Sequence, residues 1–242
     1  VDHDGATPED AAVPEGAVVP EETPALPAAT VILVRDGPGG LETLMLRKNA
    51  ALAFGGMWVF PGGRVDDADR DPERPDDEAA ARRAAVREAA EEAGLEVDPA
   101  ALVPFAHWTP PAQGAPRRFA TWFFLAPAPA GTVAIDGGEI HDHVWARPAD
   151  VLARHAAGEV ELVPPTWVTL HRLAGAASVA DALAEARSRP VERFVTRMVR
   201  AGDHLVALWA GDAGYASGDP DAPGPRHRLW MVPGGWRYER SA

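Results

Sequence analysis

The sequence contains no cysteine, and that one absence removes disulfide scaffolds, thiol nucleophiles and thiolate zinc sites together. Its chemistry must come from carboxylates, histidines, hydroxyls or a bound ion. No apolar run approaches the ~20 residues needed to cross a bilayer, and no Lys/Arg block of the nucleic-acid-binding type appears. The first residues have neither the basic start nor the apolar stretch of a secretory signal, so a cytoplasmic protein without a membrane partner is expected. A formal charge of −13 over 242 residues makes the average surface repel polyanions, which argues against a long nucleic acid as partner.

What the chain does have is 46% hydrophobic residues, enough to bury one large domain with extensions. Residues 1–27 are dominated by Pro, Ala, Glu and Asp. They carry Asp2, Asp4, Glu9, Asp10, Glu15, Glu21 and Glu22 without one Lys or Arg, and read as a disordered acidic tail. Thr30–Arg35 and Leu41–Arg47, around the turn at residues 37–40, read as a β-hairpin. A short run, Met57–Phe60, leads into a turn at Pro61-Gly62-Gly63, and the stretch from Arg64 to Asp77 is hydrophilic enough to predict an exposed loop. A helix follows over Glu78–Ala93, capped by Asp76 or Asp77 and ended by Gly94.

Further strands are expected at Leu102–Trp108, at Arg117–Ala126 and up to about Trp145, with helices at Pro148–Ala157, Pro165–Ala174 and Val179–Arg187. A hairpin through Val191–Val199 and Leu205–Trp209 comes next. Two short strands, Arg226–Val232 and Trp236–Tyr238, flank the turn Pro233-Gly234-Gly235. The pattern predicts an α+β protein with a mixed sheet, its core over residues 28–160 and a helical and hairpin extension over 161–242 packed on that core. The strands near Trp230 and Trp236 are candidates for pairing with a second subunit in a homodimer.

The residues that carry chemistry lie on the first helix. Glu88, Glu91 and Glu92, at i, i+3 and i+4, share two turns of one face, where like charges oppose helix formation by a few tenths of a kcal/mol per pair. A bound cation removes that conflict, and hard divalent ions such as Mg²⁺ are held by a few carboxylates plus substrate phosphate oxygens. The competing reading is a solvated acidic face partly neutralised by Arg83 and Arg87.

Context favours the ion. Arg87-Glu88-Ala89-Ala90-Glu91-Glu92-Ala93-Gly94-Leu95 resembles the second half of the Nudix signature, and Phe60-Pro61-Gly62-Gly63-Arg64-Val65-Asp66-Asp67-Ala68-Asp69 is similar to its entry. The contiguous spacing fails, because it puts Glu73 where the box glycine belongs and Ala79 where its first Glu belongs. With Gly63 as that glycine, the loop from Arg70 onward holds an insertion of about ten residues, which loops tolerate cheaply, and Asp69 takes the place of the first Glu. Arg117–Phe124 and Leu162–Trp167 also resemble the subgroup of peroxisomal coenzyme A diphosphohydrolases.

The resemblance implies an α/β/α sandwich and metal-dependent hydrolysis of a diphosphate linkage in a small nucleotide-like substrate, with coenzyme A or acyl-CoA as one candidate. It implies Mg²⁺ or Mn²⁺ on Glu88, Glu91 and Glu92, a backbone carbonyl at Gly62 or Gly63 as a further ligand, and Arg87 holding a carboxylate. The base comes from the box helix or from a later loop, where Glu139 stands. One of Arg117 and Arg118, which point to opposite faces of a strand, is a candidate for the phosphates, as are Arg47 and Lys48. The alternative implied function is a non-catalytic nucleotide-binding regulatory module. His141 and His143 have zinc spacing but no third ligand nearby in sequence. Trp58, Trp108, Trp122, Trp145 and Trp167 are candidates either for stacking on a base or for filling the core.

Overall fold

The computed structural model describes residues 24–50, 55–73, 77–112 and 118–241. Most of the expected acidic tail, the capping candidate Asp76 and the substrate candidate Arg117 lie outside the described residues. The expected first hairpin is formed by β1 (Leu26–Gly37) and β2 (Gly40–Lys48). Then come β3 (Trp58–Val59), β4 (Gly62–Arg64), α1 (Asp77–Ala93), β5 (Val103–Thr109), β6 (Phe119–Pro127) and β7 (Ile140–Ala146). Three helices follow, α2 (Pro148–Ala156), α3 (Pro164–Leu173) and α4 (Val179–Ser188). The chain closes with β8 (Glu192–Val195), β9 (Arg197–Ala201), β10 (His204–Leu208), β11 (His227–Met231) and β12 (Arg237–Arg240).

Eight strands make one mixed sheet in the order β3-β2-β1-β6-β5-β8, with β4 also paired to β1 and β7 to β2. β1 lies at its centre, and alternate β1 residues feed two separate cores. Ile32 and Val34 face a core shared with α2, α3, α4 and the C-terminal strands, whereas Ala29, Val31 and Leu33 face α1. A strand buried on both faces reads as the unbroken apolar run seen here, and it makes the molecule an α/β/α sandwich. Six of the eight alanines of α1, Ala80, Ala81, Ala84, Ala85, Ala89 and Ala93, are buried, so the helix backbone lies close on the sheet. Gly94 ends α1 at φ +65°, with Gly94 N–H bonded to the Ala90 carbonyl and Leu95 N–H to that of Ala89.

The structure corrects three expectations. Gly62–Arg64 is a strand antiparallel to β1, not a turn. A Cβ at Gly62 would run into the Ala29 carbonyl, so only glycine lets the two backbones approach this closely. The Arg64–Asp77 segment is not uniformly exposed, since Val65 and Asp69 are buried, the latter in a 3₁₀ turn over Asp67–Asp69.

Val191–Val199 is not one strand of a hairpin; it divides at Thr196. β8 joins the first sheet parallel to β5, and β9 pairs with β10 in a second, four-stranded antiparallel sheet, β12-β11-β10-β9. Packing explains the switch: Phe194 stacks on Trp108 at 3.8 Å between ring centroids, and the Trp209 indole N–H donates to Thr196 Oγ1 at 3.0 Å. Residues beyond 161 therefore complete the first sheet as well as build the second.

Candidate active site

α1 crosses β1 and β4 and brings its acidic turns over the two glycines of β4. Glu92 is buried; its Oε2 accepts from Gly62 N–H at 2.9 Å and its Oε1 from Lys48 Nζ at 2.9 Å. Glu88 lies over Gly63 so closely that a Cβ there would collide with its carboxylate. The pair of glycines thus serves two purposes, with Gly62 admitting β1 and Gly63 admitting Glu88. Glu92 is enclosed by these contacts and Glu88 is largely so, whereas Glu91 keeps 59% of its side chain exposed.

Arg87 gathers the rest. Its Nη1 donates to Glu88 Oε1 and Glu91 Oε2, both at 2.9 Å, and its Nη2 to Asp69 Oδ2 and the Arg64 carbonyl, also both at 2.9 Å. Asp69 holds the guanidinium well above its ordinary pKa, against burial and with help from Glu88. Burial pushes the Asp69 carboxyl up, but Arg87 and the Asp66 N–H outweigh it and the net shift is downward. Burial raises Glu88, Arg87 opposes, and repulsion from Glu92 and Glu91 leaves it raised. Burial likewise keeps Glu92 raised despite Lys48 and the Gly62 N–H. Of the like charges that helical spacing brings together, Glu92 and Glu91 still act on Glu88 in the folded protein, behind the larger effect of burial.

Glu139 reaches the same cluster from the loop before β7, 3.5 Å from Lys48 Nζ. Asp136 accepts from the backbone N–H groups of Glu139 and Ile140, and Asn49 donates from Nδ2 to the Gly138 carbonyl and from its backbone to that of Glu139. Asn49 and Asp136, which sequence reasoning missed, thus hold the backbone that carries Glu139. The signal for Asp136 was an acidic residue just before Gly137-Gly138, a pattern that folds into an Asx turn; nothing local marked Asn49.

Other candidates lie elsewhere. Arg47 is exposed on β2. Arg118 is buried, donating to the Pro110 carbonyl at 3.0 Å across the β5–β6 connection. Trp58, Trp108 and Trp167 are core residues; Trp145 lies under Arg35, and Trp122 packs against His107 and Arg193. Leu162 and Trp167 are buried, and Pro164 and Pro165 open α3. His141 is exposed, and among the described residues no third ligand joins it and His143.

Residues 24–166 match the family model described as the NUDIX domain. The chain belongs to the Nudix family. A Nudix hydrolase from Alicyclobacillus acidocaldarius superposes with a TM-score of 0.60 at 25% identity, over 68% of this chain and 97% of that one. Two more distant structures are a MutT Nudix hydrolase from Burkholderia pseudomallei (19% identity, TM-score 0.48, 62% of this chain and 99% of that one) and the Nudix domain of Shewanella oneidensis NrtR complexed with ADP ribose (18%, 0.48, 62% and 86%). No curated protein matches the chain significantly. As a Nudix hydrolase, the protein is an enzyme of the class that cleaves nucleoside diphosphate-X compounds, and the class generally uses divalent ions such as Mg²⁺. No described helix is long and apolar enough to cross a membrane.

The Nudix cluster suits such an ion in its chemistry. Among the described residues no three acidic or histidine side chains converge as a ready-made cage. Cationic nitrogens stand between the carboxylates instead, Lys48 Nζ between Glu92 and Glu139 and Arg87 Nη1 between Glu88 and Glu91. Each pair of carboxylates already surrounds a positive charge, and every donor is an oxygen. Asp69, Glu88, Glu91, Glu92 and Glu139 outnumber Lys48 and Arg87, which leaves negative charge for a hard cation to neutralise.

Proposed function

We propose that this Nudix enzyme is a Mg²⁺- or Mn²⁺-dependent diphosphohydrolase whose ion is held by Glu88, Glu91 and Glu92, with a backbone carbonyl at Gly62 or Gly63 as a further ligand. The observation that carries the reading is two carboxylate pairs beside the glycines of β4, Glu88 with Glu91 around Arg87 Nη1 and Glu92 with Glu139 around Lys48 Nζ. When bound, the ion supplies a more acidic water and offsets charge on the phosphate oxygens. Arg87 orients Glu88 and Glu91. Glu139, or a glutamate of α1, accepts the proton of the attacking water. Lys48 presents an ammonium to the diphosphate.

For substrate we favour coenzyme A or acyl-CoA, cut to two phosphate-bearing products; support comes from the resemblance of Arg117–Phe124 and of Leu162–Trp167 to the CoA-cleaving subgroup. We further propose a cytoplasmic enzyme with a core over residues 28–160 and an extension over 161–242, assembling as a homodimer through its C-terminal strands; a monomeric elution profile would count against the dimer. The test of function is a panel of CoA, nucleotide sugars, ADP-ribose and dinucleotide polyphosphates assayed with Mg²⁺ and with Mn²⁺. Metal-dependent release of phosphate-bearing products is expected, with the highest kcat/KM on CoA. Equal turnover in EDTA removes the metal mechanism, and a clear preference for the sugars removes the CoA assignment. Losing a group that merely orients a ligand costs ~10–100-fold, so Glu92→Gln is expected to lose at least that much.

A further inference from the structure

Of the 23 lysine and arginine residues in this chain, Lys48 is the only lysine. It is also the cation lodged between Glu92 and Glu139, 2.9 Å from one and 3.5 Å from the other. We infer that Lys48 is an exchangeable counter-ion, neutralising Glu92 until a divalent ion binds there and then presenting its ammonium to the substrate. The inference rests on the metal-dependent reading above and deepens it, because it makes ion loading the event that readies a phosphate-binding cation.

The argument begins with burial. Glu92 is 4% exposed, and a carboxylate so enclosed needs a counter-charge and hydrogen bonds at all times. Lys48 and the Gly62 N–H supply them. A divalent ion on Glu92 would bring a second positive centre onto the oxygen atoms that Lys48 uses, so ammonium and ion compete for one carboxylate.

The two cations of the cluster differ in their freedom to leave. Arg87 is tied by its forked donors to Asp69, Glu88, Glu91 and the Arg64 carbonyl. Lys48 is a point charge on a flexible four-carbon stem, able to swing without breaking a planar fork. Its second partner sits on an anchored main chain: Asp136 and Asn49 hold the backbone of Gly138 and Glu139, so an ammonium displaced from Glu92 keeps the exposed Glu139 carboxylate within reach at the mouth of the cluster.

The single lysine makes the test direct. Protein labelled with ¹⁵N at lysine Nζ gives one side-chain ammonium signal, and Mg²⁺ is titrated in while binding is followed separately by calorimetry. The expected result is a shift of that signal that saturates with the calorimetric curve. A signal unchanged at saturating Mg²⁺ overturns the inference. In parallel, Mn²⁺ affinity is measured without substrate by electron paramagnetic resonance of the free ion. Lys48→Met is expected to bind Mn²⁺ about 5-fold tighter or more, the scale of a site-to-site coupling, and Lys48→Arg no tighter than wild type. Equal or weaker binding by Lys48→Met overturns the inference, while the metal reading survives because wild type still binds. Wild type that takes up neither ion fails both. The wild-type titration needs no variant to fold.

Discussion

Asp69 and Arg87, eighteen residues apart, are joined by two hydrogen bonds, Nη2 to Oδ2 at 2.9 Å and Nε to Oδ1 at 3.3 Å. The 3₁₀ turn carries the backbone of Asp69 towards the helix and so makes this pairing possible. Asp69→Asn keeps the shape but removes the charge that anchors the guanidinium. We expect kcat/KM to fall ~10–100-fold with a smaller change in thermal stability, the behaviour of a partner that orients ligands. Steady-state kinetics beside a melting curve check it; unaltered kcat/KM would show that Arg87 needs no anchor.

The two glycines of β4 should fail differently. In Gly62→Ala the new methyl meets the Ala29 carbonyl and Thr30 Cα, backbone atoms that cannot step aside, so stability should fall by ~1–3 kcal/mol. In Gly63→Ala it meets only the Glu88 carboxylate, which can rotate away. That variant should stay near wild type in urea denaturation while losing activity. Similar stability loss in both variants would contradict the assignment.

Acid stability should report on Asp212 and Arg228 in the second sheet. Arg228 donates to both Asp212 oxygens, at 2.7 and 2.6 Å, and both side chains are buried. Burial pushes the Asp212 carboxyl up, but Arg228 and the backbone N–H groups of His227 and Gly214 outweigh it and hold it at about 2, against 3.8 when free. A depressed carboxylate stabilises the fold fully above its unfolded value, and the contribution disappears as pH falls from 3.8 through about 2. Linkage sets it at about 2 kcal/mol. Asp212→Asn should flatten that acid limb and cost ~3–5 kcal/mol at neutral pH, because Arg228 is left buried without its counter-charge. Denaturant titrations from pH 7 to pH 2 measure both effects.

Phe194 should prove central to coupling the two sheets. It stacks on Trp108 of the first sheet and meets Trp209 of the second edge-on at 5.3 Å, and all three rings are buried. Phe194→Ala is expected to cost ~3–5 kcal/mol. Calorimetry of the wild type should show one transition, since neither sheet keeps its core when the other opens. Two well-separated transitions would refute that coupling.

Much of this could be read without coordinates. The first hairpin, α1 with its Gly94 stop, and the three later helices follow from periodicity and capping, which act over a few neighbouring residues. The errors arose where long-range contact overrides local preference. Gly62 and Gly63 look like a turn until β1 is placed beside them; Asp69 looks solvent-exposed until Arg87 reaches it; residues 191–199 look like one strand until Trp108 and Trp209 draw them to different sheets.

By itself, then, the amino-acid order determined which carboxylates share a helix face, because 3.6 residues per turn admits no other arrangement of Glu88, Glu91 and Glu92. Tertiary structure alone decided which charges meet them. Lys48 comes from the end of β2, Glu139 from a loop pinned by Asn49 and Asp136, and Asp69 from a buried turn, while Arg118 turned inward to Pro110. The physical reason is that helical and strand spacing set side-chain direction within one element. Which elements come together is set by burying both faces of β1, and that requirement is met only by the whole chain at once.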